Sequence, residues 1–189
     1  KPLYKTVGVV GTGAMGRGIA QIAAQAGSTV KLFDLQADAG AKAKAALHDQ
    51  WDKLVAKGRL EESVAADQKS RVFTLASLAE LADCDLIVEA VVERLDIKQS
   101  LFAELEALVS PEAVLATNTS SLSVTAIAAK LKHPGRFAGY HFFNPVPLMK
   151  VVEVIAGLKT SATVCTQLID YARQMGHTRA SYAIGNAIL

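Results

Sequence analysis

The run Gly11-Thr12-Gly13-Ala14-Met15-Gly16 constrains this chain more than any other feature. It follows directly on the apolar stretch Thr6–Val10, which reads as a buried strand. It opens the Ala- and Ile-rich stretch Ala14–Ala26, which reads as a helix. Alone, such a glycine run is a weak sign. Between a strand and a helix it has a mechanical meaning: Gly11 permits a tight turn, Gly13 lets the backbone approach a ligand, and Gly16 lets the helix pack close to the strand. The helix N-terminus then offers N–H groups and the positive end of its dipole to an anion. Asp34 ends the next apolar stretch, Thr29–Phe33, 18 residues after Gly16. A carboxylate there can take both hydroxyls of an adenosine ribose and would repel a 2′-phosphate, and Leu35, Gln36 and Ala37 place no arginine after it. The combination predicts an NAD site held by Gly11, Gly13, Ala14, Met15, Gly16 and Asp34. The competing reading is an ordinary strand–helix turn followed by a solvated aspartate.

The same alternation continues along the chain. A long helix over Ala37–Lys57 leads to a short helical segment reaching Lys69, a strand Arg71–Thr74 and a short helix Ala76–Ala82. The buried strand Asp85–Val91 is followed by a helix Leu95–Leu108, a strand Ala113–Thr117 and a helix Val124–Leu131. Two strands, Phe137–Phe143 and Met149–Ile155, are joined by the turn Asn144-Pro145-Val146-Pro147, and a last helix Ala162–Met175 stops at Gly176. Strands alternating with helices predict an α/β fold with a doubly wound, mostly parallel, Rossmann-type sheet. A hydrophobic content of 51% supports a core and excludes disorder, and 20 basic against 18 acidic residues give no surplus for nucleic acid or an anionic membrane. No apolar run is long enough to span a bilayer. Cys84 and Cys165 lie far apart in apolar surroundings, and nothing resembles a signal peptide, so a cytoplasmic location is expected. No metal site is expected.

Ligands of open α/β sheets bind beyond the carboxyl ends of the strands. Glu93, past Asp85–Val91, and Asn118, past Ala113–Thr117, are therefore candidates to line the nicotinamide half, with Lys98 in the first turns of the next helix. Glu93 reads equally well as a helix N-terminal acid and Lys98 as a surface charge. Three further polar features sit where an apolar core would not want them. Asn118-Thr119-Ser120-Ser121 carries hydroxyls that can also cap a helix. His141 lies in Tyr140-His141-Phe142-Phe143 and is a base near neutral pH, or else a hydrogen-bonded core histidine. Glu153, in Lys150-Val151-Val152-Glu153-Val154-Ile155, faces solvent or a partner. If the strands flanking the proline turn lie side by side, Glu153 can reach the His141 ring, fix its tautomer and stabilise the imidazolium. An NAD site with a His–Glu dyad suggests alcohol oxidation by hydride transfer.

Together, Asn118–Leu122, Arg136-Phe137-Ala138-Gly139-Tyr140-His141-Phe142-Phe143-Asn144-Pro145-Val146-Pro147 and Met149–Ile155 resemble the L-3-hydroxyacyl-CoA dehydrogenase family, from Val7 to about Gly176. That family includes 3-hydroxybutyryl-CoA and 3-hydroxyadipyl-CoA dehydrogenases. The resemblance implies NAD-dependent oxidation of a 3-hydroxyacyl-CoA to the 3-oxoacyl-CoA, with His141 as general base, Glu153 holding its ring and Ser120 on the substrate 3-oxygen. It implies that Asn144, Glu93 and Lys98 contact the nicotinamide-ribose side, with Ser120 touching both ligands. The family's CoA-contacting region corresponds here to the stretch holding Lys53, Lys57 and Arg59, none of which is singled out. Family members continue through an Asp-Thr-Pro-Gly-Phe-Ile-Val-Asn-Arg run into a helical domain that closes over the acyl chain and makes a homodimer. Residues 177–189 do not match that run, and its catalytic asparagine is not carried over to Asn186. The expectation is thus an NAD-binding domain over 1–176 and a departing tail over 177–189, with the second helical domain absent and the chain a truncated form. The alternatives are an NAD-binding fragment or structural homologue without turnover, and a 3-hydroxyacid dehydrogenase that uses lysine as its base.

Overall fold

The computed structural model describes residues 1–185. Its centre is an eight-stranded sheet in the order β3-β2-β1-β4-β5-β6-β7-β8. The strands are β1 (Thr6–Val10), β2 (Thr29–Phe33), β3 (Val72–Thr74), β4 (Leu86–Glu89), β5 (Val114–Thr117), β6 (Phe137–Phe142), β7 (Val151–Ala156) and β8 (Arg179–Ile184). Every pairing is parallel except β6 with β7. The helices are α1 (Ala14–Gln25), α2 (Ala39–Ala56), α3 (Glu62–Ser70), α4 (Leu95–Leu108), α5 (Val124–Ile127) and α6 (Ala162–Gln174).

Strand alternation sorts the apolar residues onto two faces. Val7 and Val9 of β1 join Tyr140, Phe142, Val152 and Val154 in a core closed by Ile19 and Ile22 of α1, Leu47 and Trp51 of α2, and Leu168 and Tyr171 of α6. Val10, Ile87, Leu115 and Phe137 face the other way, against Phe102 and Leu105 of α4 and Val124 and Ile127 of α5. Both faces are covered, which is why the central strands read as unbroken apolar runs. From β1 the chain winds outward to β3 and then returns to β4 on the opposite side. The C-terminal ends of β1 and β4 therefore flank a switch point, the crevice where ligands of such sheets bind.

Several boundaries differ from the sequence reading. The strand expected over Asp85–Val91 ends at Glu89, because Ala90 and Val91 turn away at the switch point. The long helix starts at Ala39, after Asp38 adopts a left-handed φ of 68° that breaks it from the preceding turn. The helix expected over Ala76–Ala82 is a short 3-10 turn, Leu78–Leu81, closed by a Ser77–Glu80 capping box. The expected helix Val124–Leu131 is one α turn continued by 3-10 geometry. The largest difference is in the tail. Arg179–Ile184 forms β8 beside β7, so the boundary placed at 176 cuts ahead of a strand of the same sheet. His177, fully buried against the Phe142 ring at 5.4 Å, anchors its start. Asn186 lies outside the described residues. Cys84 and Cys165 are free and buried. No helix among the described residues is long and apolar enough to cross a membrane, and none of their acidic, histidine and cysteine side chains group as a metal site.

Candidate active site

The glycine turn is built as its spacing predicts. Gly11 has φ +95°, and a Cβ there would stand 2.7 Å from the Ala90 carbonyl oxygen; one on Gly16 would stand 1.8 Å from the Gly11 carbonyl oxygen. Neither position can carry a side chain without moving the turn. Gly13 differs, since a Cβ there would meet nothing within 4 Å. It is the N-cap of α1, no side chain caps that end, and the helix faces open space. Asp34 turns back toward this loop. Its Oδ2 accepts the Thr12 N–H and hydroxyl, each at 2.8 Å, and its Oδ1 accepts the Gln36 N–H at 2.9 Å. Burial disfavours the ionised carboxyl, but these three donors outweigh it and hold Asp34 below its ordinary range.

Two cavities adjoin the turn. One, of about 340 Å³, is lined by Met15, Ala90, Val91, Glu93, Asn118, Ser120, His141, Phe142, Phe143 and Asn144. The other, about 390 Å³ and mostly apolar, runs from Val10, Phe33 and Leu35 to Ile97 and Leu101, sharing Val91 with the first. The glycine loop, Asp34 and the two cavities thus lie together along the C-terminal edge of the sheet, with Val91 between the cavities.

His141 and Glu153 face each other across the antiparallel β6–β7 pair. Tyr140, Phe142, Val152 and Val154 point into the α1/α2/α6 core, so strand alternation turns His141 and Glu153 to the opposite side. His141 Nδ1 lies 3.1 Å from Glu153 Oε1; the His141 side chain is 18% exposed and that of Glu153 47%. Nε2 is thus the ring nitrogen left for the cavity. Asn118 Oδ1 accepts the Phe142 N–H at 2.9 Å, tying the end of β5 to β6 beside the histidine.

Glu93 and Lys98 occupy a setting that spacing does not reveal. Lys98 is fully buried; its Nζ lies 2.8 Å from Glu89 Oε2 and 2.7 Å from Glu93 Oε1. It is not a surface charge, and it does not line the cavity. Glu93 also accepts the hydroxyls of Thr119 (2.7 Å) and Ser121 (3.0 Å), one on each side of Ser120. Burial raises its pKa, but the Lys98 bond, the two hydroxyls and the Lys98 charge bring it down to about 2. Glu89, also fully buried, was not foreseen: an acid inside an apolar strand shows its partner only when the next helix folds back over it. Ala90, Val91 and Phe143 were also missed as cavity walls, although the rule of strand C-termini points to the first two.

The family described as 3-hydroxyacyl-CoA dehydrogenase, NAD binding domain, matches residues 6–182. The chain belongs to this family. It is 44% identical over 172 residues to a 3-hydroxyadipyl-CoA dehydrogenase of Escherichia coli (strain K12), covering 91% of this chain and 36% of that one. It is 41% identical over 174 residues to a 3-hydroxybutyryl-CoA dehydrogenase of Bradyrhizobium diazoefficiens, covering 92% and 59%. A crystal structure of 3-hydroxybutyryl-CoA dehydrogenase from Escherichia coli K12 superposes with a TM-score of 0.91 at 42% identity, over 95% of this chain and 38% of that one. The chain therefore spans less than two thirds of the length of each of these relatives. The family's cofactor is NAD, and the residues here fit it. The uncapped α1 N-terminus faces open space at Gly13, and the Asp34 carboxylate stands beside the same turn at the end of β2.

Proposed function

We propose that the chain is the cofactor half of an NAD-dependent 3-hydroxyacyl-CoA dehydrogenase that interconverts a 3-hydroxyacyl-CoA and its 3-oxoacyl-CoA. The single observation that carries this reading is the His141–Glu153 pair opening on a cavity reached from the glycine turn. Gly11, Gly13 and Gly16, with the Ala14 and Met15 amides, receive the pyrophosphate; Asp34 receives the adenosine ribose, and the apolar slot between Phe33 and Leu101 receives the adenine. Asn144, Glu93 and Ser120 stand on the nicotinamide side, Lys98 acting there through Glu93. When bound, the nicotinamide supplies the hydride acceptor. His141 Nε2 takes the proton of the substrate 3-hydroxyl, and Ser120 donates a hydrogen bond to the same oxygen. Glu153 keeps the proton on Nδ1 and stabilises the imidazolium that forms, as orienting carboxylates do in other histidine-based sites.

A lysine-based mechanism has no support in the cavity, whose walls carry no lysine among the described residues. We assign the reaction to fatty-acid β-oxidation, the enzyme to the cytoplasm and the full-length form to a homodimer. The test is a fluorescence titration with NADH, followed by acetoacetyl-CoA and the loss of NADH absorbance. Saturable binding followed by consumption supports the full reading. Binding without consumption leaves an NAD-binding unit that needs further chain for chemistry, and no binding overturns the assignment.

A further inference from the structure

Glu89, at the end of β4, is fully enclosed, yet it accepts three donors: the Val91 N–H at 2.7 Å, Lys98 Nζ at 2.8 Å and the Thr117 hydroxyl at 2.6 Å. These come from the β4–α4 loop, from α4 and from the end of β5. Lys98, equally enclosed, spans from Glu89 to Glu93, and Glu93 in turn holds the hydroxyls on both sides of Ser120. We propose that Glu89 and Lys98 are a buried positioning pair that fixes Glu93 and, through it, the segment presenting Ser120 to the cavity. The inference rests on the reading of that cavity as the nicotinamide site.

The physical case begins with cost. A buried ion pair seldom repays its desolvation against apolar residues of the same size, so stability alone is a poor account of it. What the pair supplies is direction. A lysine ammonium on a four-carbon stem can swing widely. Glu89 and the walls around it leave one orientation, with a second N–H aimed at Glu93. Glu93 is then an acceptor with a fixed place and a fixed charge, and Thr119 and Ser121 follow it. Glu89 does not line the cavity; it reaches its walls through Lys98 and Glu93 on one side and through the Val91 N–H on the other, and the variant that separates the two routes is one that keeps the Val91 bond.

The deciding variant is Glu89→Gln, which keeps the shape and can keep the Val91 bond while removing the charge that holds Lys98. The 189-residue chain and the variant are titrated with NADH and melted in parallel. The expected result is an NADH Kd about fivefold weaker with the Tm moved by a few degrees at most, since charge-assisted hydrogen bonds exceed neutral ones by about 1 kcal/mol, which is about fivefold in an equilibrium constant. Lys98→Met leaves Glu89 buried without a counter-charge and should lower the Tm. The double variant, with no buried charge in the pair, should recover the Tm but not the affinity. An unchanged Kd in Glu89→Gln, or affinity returning together with the Tm in the double variant, would make the pair merely structural and overturn the proposal. Failure of the unaltered chain to bind NADH would instead overturn the reading of the cavity.

Discussion

At the scale of the residue, the site is a set of polar groups whose properties are set by their neighbours. His141→Gln removes the ring proposed to take the proton while leaving the glycine turn and Asp34 untouched. Turnover of acetoacetyl-CoA should fall by about 10²–10⁴-fold, the range of a general acid–base contribution, with NADH affinity within about twofold. Steady-state kinetics beside a binding titration separates the two. Glu93 carries a different signature. Its folded pKa of about 2 lies below the ordinary 4.5, so its contribution to stability is complete above that ordinary value and is lost as pH falls toward 2. Urea midpoints at pH 6 and pH 3 should differ more for the unaltered chain than for Glu93→Gln. Asp34, also lowered, adds to the same acid slope in both proteins. Much of the make-up of this cavity was legible in the sequence. His141, Glu153, Ser120, Asn144 and Asn118 sit at strand ends or in unusual apolar company, and the fold gathers them around one crevice. Glu89 and the burial of Lys98 were not legible, because nine residues of sequence separate partners that meet only when α4 packs back over β4.

At the scale of the element, the turn between β1 and α1 separates two reasons for a glycine. Gly13 has φ −68°, open to any residue, and empty space where a Cβ would go. Gly13→Ala should therefore fold with an unchanged Tm yet bind NADH less tightly, the methyl standing where the proposed pyrophosphate site needs backbone. Gly16→Ala meets the Gly11 carbonyl oxygen and must displace the turn, so it should lose both Tm and binding. Melting curves and NADH titrations of the two variants give that contrast directly. The regular elements were legible because periodicity and glycine punctuation agree: β1, β2, α1, α4 and β5 fall within a residue or two of their sequence-based bounds. The elements that escaped are those decided by tertiary contact. β8 has no alternating pattern, being exposed along nearly its whole length, and only its pairing with β7 makes it a strand.

At the scale of the whole molecule, one sheet carries the cofactor turn at one switch point and the His–Glu pair three strands away, and the tail closes the far edge. His177 gives that closure a pH dependence. Burial and the nearby Lys150 charge lower its pKa below the ordinary 6.5, so the unfolded chain binds the proton more readily than the folded one. Stability should be complete above about pH 6.5 and decline as pH falls below it. His48, lowered in the same direction by burial and Lys44, contributes to the same window. Denaturation midpoints at pH 7.5 and 5.5 should converge in a His177→Phe, His48→Phe variant relative to the parent. The antiparallel β6–β7 pair has a consequence of another kind. Val152, Val154 and Ala156 lock the β7 register by their burial, while Leu148 and Met149, in the connection before it, are exposed. Length changes near Leu148 can be absorbed without altering which residue stands opposite His141. A single residue inserted within β7 would rotate Glu153 through the sheet to the other face. Insertions and deletions accumulated over evolutionary time should therefore collect in that connection and spare the strand behind it.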